Sequence, residues 1–262
     1  MKTLDKFKLN GKVVVVTGGA GLMGKKHVEA VLEANGRPVV WDSNVEEGYE
    51  KGIVNIRCDI TKKESIERAI KETWSCHSYD KISVLINNAA NNPHIPHVVK
   101  DDKEATGLFE TYGIESWEED IAVGLTGSFL CSQVVGTHMA KNNGGVILNV
   151  SSDLGVIAPD QRIYSKDKKP VSYSVVKHGI IGLTKYLATY WADKNVRVNS
   201  ISPGGIFVDQ DEEFVKKLTD LIPMGRMADI DEYKAAVLFL ITDASSYMTG
   251  SNLIIDGGRT CW

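Results

Sequence analysis

The 262-residue sequence has no long hydrophobic run. The apolar stretch nearest its start, Val13 to Val16, stops at a glycine-rich turn. A membrane span needs roughly 20 such residues. A secretory signal needs an apolar region followed by a small-residue cleavage site. Neither pattern is present, which predicts a cytoplasmic protein without a membrane partner. Cysteine is scarce: Cys58, Cys76, Cys131 and Cys261 form no CxxC pair and no metal-ligand spacing. Free thiols and no metal site are expected. Positive charge is not in excess, with 30 Lys and Arg against 34 Asp and Glu. A nucleic-acid surface, which would need clustered basic residues, is therefore not expected. There is no Pro/Ser-rich linker, repeat or low-complexity tract. One domain over residues 1–262 is the expectation.

What is present is alternation. VVVVT (13–17), PVVWD (38–42), IVNIRC (53–58), ISVLIN (82–87), VILNVS (146–151), VRVNSI (196–201) and NLIIDGG (252–258) read as seven strands. Helical patterns lie between them: Leu22 to Asn35, Lys63 to Trp74 behind a cap at Thr61, Ser116 to Lys141, Ser172 to Asp193 and Ile230 to Ile241. Strands alternating with helices predict βαβ units and an α/β fold, with a parallel sheet covered by helices on both faces. Two segments look like insertions, 91–115 and 159–170. They carry His94, His97, Lys100, Arg162, Lys166, Lys168 and Lys169, some of which could bind an anionic group. The histidines lack metal-ligand spacing.

After the first strand comes TGGAGLMG, in which Gly19, Gly21 and Gly24 match GxGxxG. The match sits between a strand and a helix, as a dinucleotide loop requires. Glycines let the backbone approach a pyrophosphate, and the helix start offers N–H donors. Asp42 ends the second strand, 18 residues beyond Gly24. A carboxylate there accepts bonds from ribose hydroxyls and repels an added phosphate. No Lys or Arg occurs in DSNVEEGYE, so NAD is expected over NADP. Asp59, after the third strand, could meet an adenine ring or serve as a helix cap.

Tyr173 and Lys177 form YxxxK, one helical turn apart on one face. A free tyrosine has a pKa near 10, too high for a base at neutral pH. An ammonium nearby would favour the phenolate. Tyr173 would then exchange a proton with an alcohol or ketone, and Ser152 would hydrogen-bond the substrate oxygen.

These motifs, in this order, resemble the short-chain dehydrogenase/reductase family over nearly the whole chain. TGGAGLMG resembles its TGxxxGxG loop, NNAA (87–90) its NNAG, NVSSDLG its serine strand and YSVVK its tyrosine–lysine motif. VRVNSISPGG resembles the nicotinamide segment and MTGSNLIIDGG the last strand. The resemblance implies a Rossmann-type doubly wound sheet of seven strands in the order 3-2-1-4-5-6-7. It implies Ser152, Tyr173 and Lys177 as catalytic residues, with Ser151 structural. It implies cofactor contacts from Gly18, Gly21, Leu22, Met23, Gly24, Asp42, Asp59, Ile60, Asn88, Ala89, Ala90, Tyr173, Lys177, Pro203, Gly204 and Ile206. A homo-oligomer, tetramer or dimer, is also implied.

Three departures stand out. Leu22 replaces a glycine and is expected to crowd the loop slightly. Ala90 replaces the glycine of NNAG. Gly124, in VGLTG, stands where the family carries an asparagine that holds a proton-relay water. The 21-residue spacing from Ser152 to Tyr173 exceeds the family norm, and the excess loop, 159–170, is expected at the substrate mouth. The C-terminal half is similar to flagellin-modification and surface-sugar oxidoreductases. That implies a sugar, phosphosugar or nucleotide-sugar substrate. The alternatives are an NADPH-dependent carbonyl or 3-oxoacyl reductase, and a non-catalytic NAD-binding scaffold.

Overall fold

The computed structural model describes residues 2–76, 81–91 and 107–262. Its spine is an eight-stranded sheet: β1 (Val13–Thr17), β2 (Arg37–Asp42), β3 (Gly48–Glu50), β4 (Ile53–Arg57), β5 (Ile82–Asn87), β6 (Gly145–Val150), β7 (Val196–Pro203) and β8 (Asn252–Ile255). The spatial order is β3-β4-β2-β1-β5-β6-β7-β8. All pairings are parallel except β3 with β4. The expected seven-strand order is corrected by one strand. Gly48–Glu50 forms an exposed edge strand, turned back onto β4 through Lys51 (φ 51°) and Gly52 (φ 86°). Two residues at positive φ make the tight hairpin turn that suits strand twist. Three exposed residues carry no alternation, so the strand has no hydrophobic signal.

The central strands are buried on both faces. Val13 and Val15 of β1 join one core, with Trp41, Leu85, Ile147 and Trp191. Val14 and Val16 join the other, with Val28, Ile86, Tyr233 and Leu240. Period-two alternation thus feeds two helical layers. Helix α1 (Leu22–Glu33) ends with Asn35 at φ 58°. The Gly36 N–H closes onto the Val31 carbonyl and the Asn35 N–H onto Leu32, the paired bonds of a glycine-type C-terminal cap.

Helix α2 is Lys63–Ser75. Its N-cap is Lys62, not Thr61, and the Thr61 hydroxyl donates instead to Asp59 (2.6 Å). The single long helix expected from Ser116 is α3 (Ile114–Ile121), α4 (Gly127–Cys131) and α5 (Thr137–Lys141), joined by π-turns at Ala122–Thr126 and Ser132–Gly136. Helix α6 is Val171–Tyr190, and α8 is Lys234–Ile241 behind a 3-10 turn at Ile230–Tyr233. Helix α7 (Glu212–Thr219) was not anticipated. It is capped by Asp211, whose carboxylate accepts from the Glu213 and Phe214 N–H groups. Among the described residues no helix is long and apolar enough to cross a membrane.

Candidate active site

The expected cofactor residues gather at the carboxyl ends of the strands. They centre on β1, whose neighbours β2 and β5 lie on opposite sides, the point at which doubly wound sheets bind ligands. Gly18 follows β1 at φ 62°, and a β-carbon on it would lie 2.8 Å from the Ala89 α-carbon. A β-carbon on Gly24 would lie 2.1 Å from the Gly18 carbonyl oxygen. Gly21 caps α1 with no side-chain acceptor, so the first-turn N–H groups are open to an anion. The Leu22 side chain is 54% exposed and does not fill the loop, contrary to the crowding expected of it. Met23 packs against the core beneath α1.

Hydrogen bonds tie the loop to β5. The Asn88 amide donates to the Thr17 and Gly18 carbonyls (3.0 and 3.1 Å), and the Thr17 hydroxyl accepts from the Asn88 and Ala89 N–H groups. Ala90 follows, half-buried. Asp42 is held toward the glycine loop: Oδ2 accepts from the Ala20 N–H (3.1 Å) and Oδ1 from the Asn44 N–H (3.0 Å). The nearby cations are committed elsewhere, Arg68 to Glu47 and Glu72 and Arg57 to the Val45 carbonyl. An open helix start, a backbone cradle and a fixed carboxylate together fit a dinucleotide.

The other expected contacts are less direct. The Asp59 carboxylate is engaged by Thr61 and by Lys62 (2.9 Å). The Thr61 bond, above all, holds its pKa below the usual value. The Ile60 side chain is in the core, against Gly127. Pro203 ends β7 opposite Ile255. The Gly204 N–H donates to the Ile255 carbonyl (2.8 Å), and Ile206 bridges to Ala228.

Ser152, Tyr173 and Lys177 converge beside this cradle. Ser152 follows β6, its hydroxyl donating to Asp153 Oδ1 (2.8 Å) and accepting from the Leu154 N–H (3.1 Å). Ser151 donates to the Lys177 carbonyl (2.8 Å), fastening β6 to α6. Beneath them Asn87, Asn149 and Thr184 form a buried ladder across β5, β6 and α6. The Lys177 ammonium donates to the Val150 carbonyl (3.0 Å) and lies 5.7 Å from the Tyr173 ring centroid. Burial, with Lys169 nearby, pushes its pKa down to about 8. Burial raises the Tyr173 pKa, opposed by a hydrogen bond with Ser152 and reinforced by the Asp153 carboxylate. The lowered tyrosine pKa expected from Lys177 is therefore not found in the chain by itself, because burial outweighs the Ser152 hydrogen bond.

Two charged residues in this site carried no sequence expectation. Asp153 Oδ2 pairs with the Arg259 guanidinium (2.7 Å), both side chains about 5% exposed. This ion pair fastens the segment after β8 to the residue following Ser152. Its only sequence signal is a carboxylate three residues past the end of a buried strand. Gly124 lies in the first π-turn, where a β-carbon would come within 2.6 Å of Val176 Cγ1. Val176 of α6 thus occupies the room an asparagine side chain would need.

The 159–170 insertion is tethered. Ile163 packs on Leu218, Ile222 and Met227, and Tyr164 lies 5.6 Å from the Phe214 ring. Arg162 forks onto Asp160, which caps the 3-10 turn Gln161–Ile163. The Lys168 ammonium reaches the Gln161 carbonyl (3.3 Å) and Lys166 is exposed. Only Lys169 turns to the site, its ammonium 3.8 Å above the Tyr173 ring centroid. His94, His97 and Lys100 lie outside the described residues.

The chain is similar to known proteins along its whole length. The family model described as Enoyl-(Acyl carrier protein) reductase matches residues 18–260. An NAD-dependent glycerol dehydrogenase of Listeria innocua is 36% identical, over 99% of this chain and 98% of its own. An NADP-dependent mannitol dehydrogenase of Alternaria alternata is 34% identical, over 97% and 94%. The crystal structure of a short-chain dehydrogenase from Leptospira borgpetersenii with bound NAD+ is 33% identical. It superposes with a TM-score of 0.85 over 99% of this chain and 96% of that one. With its glycine cradle, YxxxK helix and alcohol-oxidising relatives, the chain belongs to the short-chain dehydrogenase/reductase family, as an NAD(P)-dependent oxidoreductase of CH–OH donors.

Proposed function

We propose that the protein uses NAD to oxidise a secondary hydroxyl of a polyol or sugar to the ketone, and runs the reverse reduction. The observation that carries this reading is the convergence of Ser152, Tyr173 and Lys177 beside a glycine cradle faced by Asp42. Bound NAD supplies the hydride acceptor. Gly18, Gly21 and Gly24 leave room for its pyrophosphate, with Leu22 and Met23 at the helix start and Asn88, Ala89 and Ala90 across the crevice. Asp42 would accept from the adenine ribose, and Asp59 and the main chain of Ile60 would border the adenine. Pro203, Gly204 and Ile206 flank the nicotinamide. As the carbinol C–H bond breaks, the Tyr173 phenolate takes the hydroxyl proton and Ser152 hydrogen-bonds the substrate oxygen. Lys177 supplies positive charge behind the phenol and holds the nicotinamide ribose.

Asp42 favours NAD because a ribose phosphate would face its carboxylate, with Arg68 already paired to Glu47 and Glu72. The glycerol and mannitol relatives favour a free polyol over the phosphosugar or nucleotide sugar of a glycan-modification pathway. Exposed Phe129, Tyr186 and Tyr190 on α4 and α6 support a homo-oligomer, tetramer or dimer, packed through these helices. A cytoplasmic location fits this chemistry.

Calorimetry with NAD and NADP, with turnover of glycerol and D-mannitol, tests the reading. NAD should bind the more tightly, and Asp42→Ala should narrow the preference by about tenfold. Tyr173→Phe should cut turnover by about a thousandfold while leaving NAD binding intact. Preferred NADPH with reduction of 3-oxoacyl substrates would replace this reading with a carbonyl reductase. NAD binding without turnover of any alcohol or ketone would leave a scaffold.

A further inference from the structure

The long spacing between Ser152 and Tyr173 delivers one side chain to the reacting tyrosine. Gln161 grips Lys169 by its main chain in both directions: the Gln161 amide donates to the Lys169 carbonyl (3.0 Å), and its oxygen accepts the Lys169 N–H (2.9 Å). Ile163 and Tyr164 anchor the same segment on α7, and Pro170 leads directly into α6. The loop is thus fixed at both ends of the lysine. The ammonium rests over the face of Tyr173, 3.8 Å from the ring centroid, whereas Lys177 is 5.7 Å away.

A cation over an aromatic face is attracted by the π electrons. Ionising the phenol adds negative charge to that ring, so the attraction grows when the proton leaves. We propose that Lys169 is an electrostatic positioning residue for Tyr173, holding its ring and favouring its phenolate during alcohol oxidation. The inference rests on Tyr173 being the base.

The other titratable groups around the pair, among the described residues, do not place a positive charge as close to the ring. Lys177, on α6, is farther from the centroid and donates to the Val150 carbonyl. Asp153, after β6, raises the Tyr173 pKa, and its own partner is Arg259 from the C-terminal segment. Asp120 of α3 accepts from Tyr112 and Ser172. Tyr164, in the insertion, is itself pushed well up by burial. Asp153 and Asp120 favour the charged form of Lys169, but burial dominates and brings its pKa down to about 8. Lys169 therefore carries its charge through neutral pH and loses it above about 8. Its effect on Tyr173 must fade over the same interval. Loss of Lys169 would also let Lys177 keep its proton longer, which offsets the change only in the alkaline range.

The test follows Tyr173 directly. The NAD-loaded protein, in which the positive nicotinamide would bring the Tyr173 midpoint down into the range where Lys169 is charged, is labelled with [13Cζ]tyrosine, and the Tyr173 resonance is assigned by its absence in Tyr173→Phe. In Lys169→Met and Lys169→Gln its titration midpoint should rise by about one unit. Lys169→Arg, charged at every pH, should hold it near the wild-type value. The same shift should appear in kcat/KM for oxidation of glycerol or D-mannitol. The neutral variants should lose about tenfold at pH 7 and converge on the wild type at alkaline pH. An unmoved midpoint in both neutral variants would overturn the inference, as would a rate loss equal at every pH. Full activity in Tyr173→Phe would instead overturn the proposed reaction itself, so the two failures are distinguishable.

Discussion

The two sides of the crevice are built from different material. On the β1–α1 side the contacts are main chain: glycine α-carbons, open N–H groups, and carbonyls held by Asn88. On the β6–α6 side they are buried or half-buried charges: Asp153 with Arg259, Lys177 on a carbonyl, and Lys169 over Tyr173. The first side must receive a ligand of fixed shape, and backbone geometry suffices for that. The second must move a proton, and only titratable groups in a low-dielectric setting can be tuned for it. The cost also differs. A backbone cradle fails when an atom is added, and a buried charge network fails when one is removed.

The largest expected effect tests the charged side. Arg259→Met leaves the Asp153 carboxylate buried without its guanidinium. Breaking such a pair costs about 3–5 kcal/mol, which for a chain of this size corresponds to a fall in melting temperature of roughly 10 °C. Removing both charges, with Asp153→Asn added, should recover most of that loss. Melting curves of the single and double variants measure both terms. A loss under about 1 kcal/mol in the single variant would mean that the carboxylate finds water, and the contrast between the two sides would dissolve.

The backbone side should fail by addition. A β-carbon on Gly24 meets Gly18 oxygen at 2.1 Å, the Gly19 α-carbon at 2.7 Å and the Gly18 carbonyl carbon at 2.9 Å. All three are main-chain atoms, so no side chain can swing aside. Gly24→Ala should cost about 3 kcal/mol of stability. It should also weaken NAD by at least about tenfold, read by calorimetry, because the displaced atoms are those of the cradle. Retained affinity in a destabilised protein would separate the cradle from the fold.

The same division explains what was legible in the sequence. A backbone cradle is written as glycines at fixed spacing after a strand, so TGGAGLMG and Asp42 could be read locally. The tyrosine and lysine lie one helical turn apart, so YxxxK was local as well. Strands with apolar side chains on both faces announced themselves by composition, which placed all seven long strands. Arg259 lies 106 residues from Asp153, and no local pattern links them. Lys169 was one of several basic residues in its insertion. Only folding decides that Arg162 turns to Asp160 and Lys169 to the tyrosine. The edge strand Gly48–Glu50 was invisible because exposed residues bear no alternation, and α7 because its eight residues rest on a small satellite core.

The smallest effect concerns Gly124, where the two modes of construction meet. A β-carbon there comes within 2.6 Å of Val176 Cγ1 and 3.4 Å of Cγ2. The obstruction is a side chain on α6, next to Lys177, rather than main chain. Alanine favours a helix by about 1 kcal/mol over glycine, while overpacking costs about 1–3 kcal/mol. Gly124→Ala should therefore destabilise by only about 1 kcal/mol. If Val176 is the obstacle, Val176→Ala in the same chain should reveal a favourable coupling of about 1 kcal/mol in a double-mutant cycle. Space opened in that way would also admit an asparagine at 124. If Gly124→Ala is instead stabilising and uncoupled from Val176, the valine yields freely. The glycine would then not be what closes this wall of the site, and the backbone-to-backbone contacts of the cradle would stand as the tighter constraint on the fold.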